Sequence, residues 1–367
     1  MAGMLQSNAP RESGLSFGHI IDRQRKQALP TRKIPVRLGR AHRKTAVGRA
    51  LTLFAVTLVA LLPPQAGAQY PERPLRMIVP QAPGSATDTI ARMLAIELGP
   101  QLGQQIVVEN RPGGALTIGM DLLSKAAPDG YTIGMGPIGA LAISPNLVAK
   151  LPYDVEKDFQ PIALVSIGHL LLAASPKLPV SSVAELITHA RANPGKLTNA
   201  SSSNGSPGHV GGELFKLLSG TQIVHVPYKG GALAINDLMA GQVDLMFESL
   251  NSIAPHAKSG KVRALGVSGA RRSPAFPAVP TIAEAGVTGY EAATWTGVVA
   301  PAGLARPTLD RLNAAVNRAI ASTSFRERFS GIGDEAAGGT PEEFSALIKR
   351  ELGKWRDVVK RSGARLD

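Results

Sequence analysis

The 367-residue chain has no cysteine, which excludes disulfides, thiolate metal sites and a cysteine nucleophile together. Aromatic residues make up only 4%. Tyr131, Tyr153, Phe215, Tyr228 and Trp295 are scattered and not interleaved with Lys and Arg, so the pattern of a nucleic-acid binder is missing. The apolar run from Leu51 to Leu62 falls short of the roughly 20 residues that cross a bilayer. No nucleophile elbow is present, because "NGSPG" and "GVSGA" miss the G-x-S-x-G spacing. His209, His225 and His256 have neither an H-x-x-x-H spacing nor a carboxylate cluster nearby, and they read as surface or capping residues rather than metal ligands.

Basic charge is abundant but unevenly placed. Before Gln69 the chain carries 11 Lys/Arg against 2 Asp/Glu, leaving 29 against 25 after it. Arg40, Arg43, Lys44 and Arg49 precede an apolar core that ends in small residues at Ala66 and Ala68. That is the pattern of a secretory signal cleaved before Gln69. No twin arginine precedes the core, which points to general secretion. The polar, basic stretch Met1 to Ala41 is longer than a usual signal n-region; a start codon assigned upstream of the true one and an extended leader both explain it. With the leader removed, the high pI no longer implies nucleic acid.

After the leader, short apolar runs (Leu75 to Val79, Gln105 to Val108, Tyr131 to Met135, Ile162 to Val165) alternate with helical patterns. This predicts an α/β layer with a mostly parallel sheet. A second series follows from "HLLLAAS" to "VRALGVSG", and the end returns to a strand-like "GVVAPAG" and helical segments Pro307 to Ser330 and Pro341 to Val359. Residues 69–367 suit two domains of ordinary size.

Two strand–loop–helix junctions stand out because their loops are uncharged. In "MIVPQAPGSATDTIARML", Ser85 and Asp88 have capping-box spacing. Asp88 is therefore a cap residue or a ligand contact. The amides of Gly84, Ser85, Ala86 and Thr87 would then face a positive helix end, a site for an anion that needs no charged side chain. In "LTNASSSNGSPGHVGGELFKLL", Ser206 is placed as N-cap and Pro207 at the first helical position, so Ser202, Ser203, Asn204, Gly205 and Ser206 form the second mouth. Open α/β sheets bind ligands at such strand ends. Neither loop contains arginine, which favours carboxylate over phosphate.

At this point the chain resembles the Bug-type solute receptors of tripartite tricarboxylate transporters. The resemblance is carried by "YPERPLRMIVP", "PGSATDTIAR", "VVENRPGG", "AAPDGYTIGMG", "YDVEKDFQPIALV", "HVPYKGG", "DLMAGQVDLMF", "PAVPTIAEAG" and "WTGVVAPAG", in this order. It implies a two-lobed α/β periplasmic binding protein of the type II, Venus-flytrap kind. Residues 1–68 would be extension and signal, 69–172 and 294–367 the first lobe, and 173–293 the second. It also implies a small carboxylate ligand, a membrane permease as partner, a monomeric non-enzymatic receptor, no cofactor and no nucleic acid. The family's two site loops match Gly84 to Asp88 and Ser202 to Ser206. Gly136 and Ile138 rank second, and Tyr228, Lys229, Glu248, Ser249 and Trp295 third. Similar proteins have a second glycine where this chain has Ser85, and a glycine-rich run where it reads "RPGGALTIG"; both departures put bulk near the expected site.

Two other chemistries compete with this reading. "GMGPIG", residues 134–139, satisfies G-x-G-x-x-G after a strand, but Pro145 interrupts the turns that follow. A periplasmic hydrolase or isomerase on the same scaffold is the alternative from another class.

Overall fold

Five residues, Leu75–Val79, form the first strand, β1, buried almost throughout, as a strand covered on both faces must be. The chain is seen here in a computed structural model that describes residues 70–330 and 334–365. The basic leader and its cleavage site lie outside those residues. Helix α1 (Ala86–Leu102) follows, with Ile90, Leu94, Leu98 and Leu102 buried along one stripe. Gly103 ends it at φ +71°, a left-handed C-terminal cap that glycine adopts without a Cβ penalty.

β2 (Ile106–Asn110), α2 (Thr117–Ser124) and β3 (Thr132–Pro137) complete a first unit in which β2 and β3 flank β1 in parallel. A π-helical turn over Gly139–Ile143 runs directly into α3 (Ser144–Leu147), with Pro145 near its N-terminus. Helical turns therefore do follow "GMGPIG", and Pro145 starts a helix instead of breaking one. The glycines are nonetheless filled from within the core. A Cβ on Gly134 would lie 2.4 Å from Leu123 Cδ2, and one on Gly136 would lie 2.5 Å from Leu141 Cδ1.

β4 (Phe159–Gly168) ends the first series, and the chain enters a second sheet one residue later with β5 (Leu170–Ala174). The change of sheet thus falls at His169. α4 (Val183–Ala192), β6 (Thr198–Ser201), α5 (Pro207–Ser219), β7 (Val224–Pro227), α6 (Gly231–Ala240), β8 (Leu245–Ser249), α7 (Leu250–Lys258) and β9 (Arg263–Val267) build the second layer. β10 (Thr294–Pro301), α8 (Arg306–Ala321), α9 (Thr323–Ser330), β11 (Glu335–Ala336) and α10 (Pro341–Ser362) return to the first.

The strand orders are β11-β4-β10-β3-β1-β2 and β7-β6-β8-β5-β9. Both sheets are mixed, not mostly parallel. β10 runs antiparallel to β3 and β4, and β5 runs antiparallel to β8 and β9. Alternation of apolar runs and helices does not reveal this, because a strand inserted from a distant part of the chain can run either way. The two chain crossings are tied together at Ser268, which is fully buried. Its hydroxyl accepts from the Leu170 amide at 2.8 Å and donates to the Ala292 carbonyl at 3.0 Å.

The apolar core does not divide by sheet. Phe344, Ile348, Leu352 and Trp355 of α10 share one buried cluster with Val210, Leu214 and Phe215 of α5. No helix among the described residues is long and apolar enough to cross a membrane.

Candidate functional site

At the first helix mouth Ser85 is the N-cap, and its Oγ accepts from the Asp88 amide at 3.2 Å. The Asp88 carboxylate turns back along the loop, accepting from the Gly84 amide at 2.8 Å, Asn110 Nδ2 at 2.9 Å and Arg92 Nε at 3.0 Å. Burial pushes its pKa up, but Arg92, the Gly84 amide and Asn110 outweigh this and hold it below the usual carboxylate range. The Ser85 amide donates to Ala82 O at 3.2 Å. Two of the four amides expected to be open are therefore consumed within the loop. Those of Ala86 and Thr87 carry no backbone hydrogen bond among the described residues, and these same two residues line the cavity.

The second mouth is held from behind by two histidines. Ser206 caps α5, and Gly205 takes φ +73°, a conformation glycine reaches without steric cost. The Gly205 amide donates to His209 Nδ1 at 3.0 Å. The His209 ring stacks on His225 at 3.8 Å with an 11° tilt, and His225 Nε2 bonds Ser201 Oγ at 2.7 Å. Burial, then the neighbouring His225 and Lys216, push His209 down to about 3. It is thus neutral at physiological pH, and its unprotonated Nδ1 is what the Gly205 amide requires. His209 is 4% exposed, so it is an internal bracket rather than the surface or capping residue that the sequence suggests.

Between these mouths lies a cavity of about 290 Å³. Of the residues singled out by sequence, Ala86, Thr87, Ile138, Ser202, Ser203, Asn204, Gly205, Ser206 and Trp295 line it, with Ser249 from the third rank. Trp295 is 3% exposed, packs edge-on to Phe344 with ring centres 5.7 Å apart, and leaves its Nε1 without a partner among the described residues. Gln81, which also lines the cavity, leaves Oε1 unpartnered in the same way.

Other candidates are directed elsewhere. Gly84, Ser85 and Asp88 serve the cap, and Gly136 accommodates Leu141. The Tyr228 hydroxyl donates to Asp237 Oδ2 at 2.7 Å, and burial together with that carboxylate pushes the phenol up to about 12. Glu248 faces the start of α6, where its Oε2 would lie 2.9 Å from a Cβ on Gly231. Its Oε1 accepts from the Ser249 amide, and burial raises its pKa. Neither Lys229 nor Arg111 lines the cavity; Arg111 pairs with Glu109.

The sequence reading missed Leu116, Asn251, Thr294, Thr296 and Asp334. Ser249 and Asn251 belong to a third strand–helix junction, between β8 and α7, which the same strand-end rule would have found. Ala115 and Leu116 occupy the "GGALTIG" departure and pay for it in backbone strain, with φ +53° and +76° directly after Gly113 and Gly114. A left-handed non-glycine residue costs about 1–2 kcal/mol. Ala115→Gly recovers that less about 0.5–1 kcal/mol of glycine entropy. We expect a rise of about 2 °C in Tm, measured by differential scanning calorimetry; a lower Tm would show that the segment is not strained.

Among the described residues no group of three or more His, Cys, Asp and Glu is placed to hold a metal ion.

A sequence model described as tripartite tricarboxylate transporter family receptor matches residues 90–364. Protein BugT of Bordetella pertussis is 38% identical over 312 residues, covering 85% of this chain and 96% of that protein. Among solved structures, R. palustris Rpa4515 with adipate is 38% identical with a TM-score of 0.72, covering 81% of this chain and all of that one. MatC from Rhodopseudomonas palustris, with bound malate, is 33% identical with a TM-score of 0.69, covering 79% of this chain and all of that one.

Proposed function

The chain belongs to the tripartite tricarboxylate transporter receptor family, and from that premise we propose that it captures a small carboxylate in the periplasm and presents it to a membrane permease. The observation that carries this reading is the meeting of two uncharged helix mouths in one cavity. Ala86 and Thr87 bring unbonded amides from α1, and Ser202 to Ser206 bring the loop before α5. Trp295 Nε1 adds a buried donor without a partner. A carboxylate oxygen would satisfy such donors, whereas an empty apolar cavity would leave them costly.

Magnitudes favour closure around the ligand. One helix end supplies only about 0.3–2 kcal/mol, while micromolar affinity needs about 8. Movement of the two sheets toward each other about the crossings at His169 and Ala292 would bring the second set of contacts. Catalysis on this scaffold would need a base beside one of the lining serines. The described lining residues include no His or Lys, and no hydrogen bond among the described residues joins Asp334, their one carboxylate, to a lining serine, so the receptor reading is preferred to a hydrolase or isomerase.

Trp295 and Trp355 are the only tryptophans in the sequence, and Trp295 alone lines the cavity. Titrating mono-, di- and tricarboxylates into the protein should therefore shift tryptophan emission, with phosphate and sugars silent. Trp295→Phe should abolish the signal and weaken binding by about tenfold, the loss of one hydrogen bond to a charged group. A response to phosphate or a sugar but to no carboxylate would overturn the proposal.

A further inference from the structure

The described residues lining the cleft include no Lys, Arg or His, and their single ionisable side chain is Asp334. Asp334 lies between α9 and β11. Its Oδ1 and Thr294 Oγ1 both crowd the Cα of Gly168, at 2.6 and 2.5 Å from where a Cβ would stand. Gly168 and Thr294 pair across β4 and β10. Arg326 and Glu335 border a second cavity that Asp334 also touches, and Glu335 is engaged by Arg271 and His169. None of these contributes to the carboxyl's state; burial alone pushes it up to about 6.

The α1 amides follow β1, and Gly168, which Asp334 crowds, ends β4. β3 and β10 separate β1 from β4, a distance of three strand spacings or about 14 Å. Less a hydrogen bond of about 2.9 Å at each end, that strand separation is of the order of a six-carbon chain such as adipate's.

We propose that Asp334 sets the ligand class of this cleft. It accepts a hydrogen bond from an ammonium or hydroxyl group at the far end of a monocarboxylate, and it disfavours a ligand whose far end is a second ionised carboxylate. Like charges facing each other in a cleft with no cation repel, whereas a donor there finds an acceptor that the protein leaves unused. The inference rests on the carboxylate reading above.

The test is calorimetric titration of the wild type and Asp334→Asn with adipate and its ω-amino and ω-hydroxy monocarboxylate counterparts, on either side of pH 6. Above that pH the ω-amino compound should bind wild type at least about tenfold tighter than adipate, and Asp334→Asn should level the two. Below it adipate should gain affinity for wild type, because protonated Asp334 then donates to the second carboxylate, with no such gain beyond the ligand's own titration in the variant. Asp334→Ser serves as the second variant if Asp334→Asn melts early. Adipate binding tightest to wild type, with the same order and pH profile in both variants, would overturn the role of Asp334 alone. Binding by none of the three compounds, when another carboxylate of the fluorescence titration does bind, would overturn this inference, and binding by no carboxylate at all would overturn the carboxylate reading and this inference with it.

Discussion

Gly205→Pro should reduce ligand affinity by about a hundredfold or more while leaving the rest of the protein folded. Proline is fixed near φ −65°, and Gly205 stands at +73°, so the loop from Ser202 to Ser206 must adopt another path. The substitution also deletes the amide that donates to His209 Nδ1, leaving a buried ring nitrogen unpaired at about 1–3 kcal/mol. Two effects at the same residue therefore remove one of the two mouths. Calorimetric titration with the carboxylate that binds wild type best, alongside thermal melting, separates loss of the site from loss of the fold. Affinity within threefold of wild type would show that this loop does not hold the ligand.

Asp88→Asn should do the reverse, lowering stability by about 2–4 kcal/mol and Tm by about 5–10 °C, with affinity changed less than about threefold. The carboxylate accepts from Gly84, Asn110 and Arg92 at once, and an amide in its place must turn a donor toward one of them. Ala86 and Thr87 keep their free amides, so the cavity is spared. The pH dependence follows from the direction of the shift. The folded-state pKa lies below the ordinary 3.8, so the contribution is complete above the unfolded value and is lost as pH falls through the folded one. The Tm gap between wild type and variant should be constant from neutral pH down to about pH 5 and shrink below pH 4. Equal Tm values with a large loss of affinity would make Asp88 a ligand contact after all.

The sequence was most informative where local chemistry decides structure. Ser85 and Ser206 cap the helices whose starts their spacing marks, because a cap is settled within four residues. The apolar run Leu75–Val79 is a strand over the same residues. Legibility fell where distant parts of the chain meet. The direction of β10 depends on its neighbours β3 and β4, and the stacking of His209 on His225 depends on α5 lying over β7. The helical pattern from Pro307 to Ser330 hides a break at Ser322, whose Oγ accepts from the Phe325 amide and starts a new helix. Asp334 gave no signal, since nothing beside it in the chain distinguishes it from a surface acid. The free amides could not be counted in advance either, because Gly84 and Ser85 spend theirs within the loop.

The position of β10 also dictates an order of assembly. All strands of the five-stranded sheet come from one stretch, Leu170 to Val267, whereas the six-stranded sheet keeps a gap between β3 and β4 until residues 294–301 are available. A chain emerging from its N-terminus can complete the later-encoded sheet first. The sheet that begins the protein must wait for residues 294–301, and until then the facing edges of β3 and β4 stay unpaired.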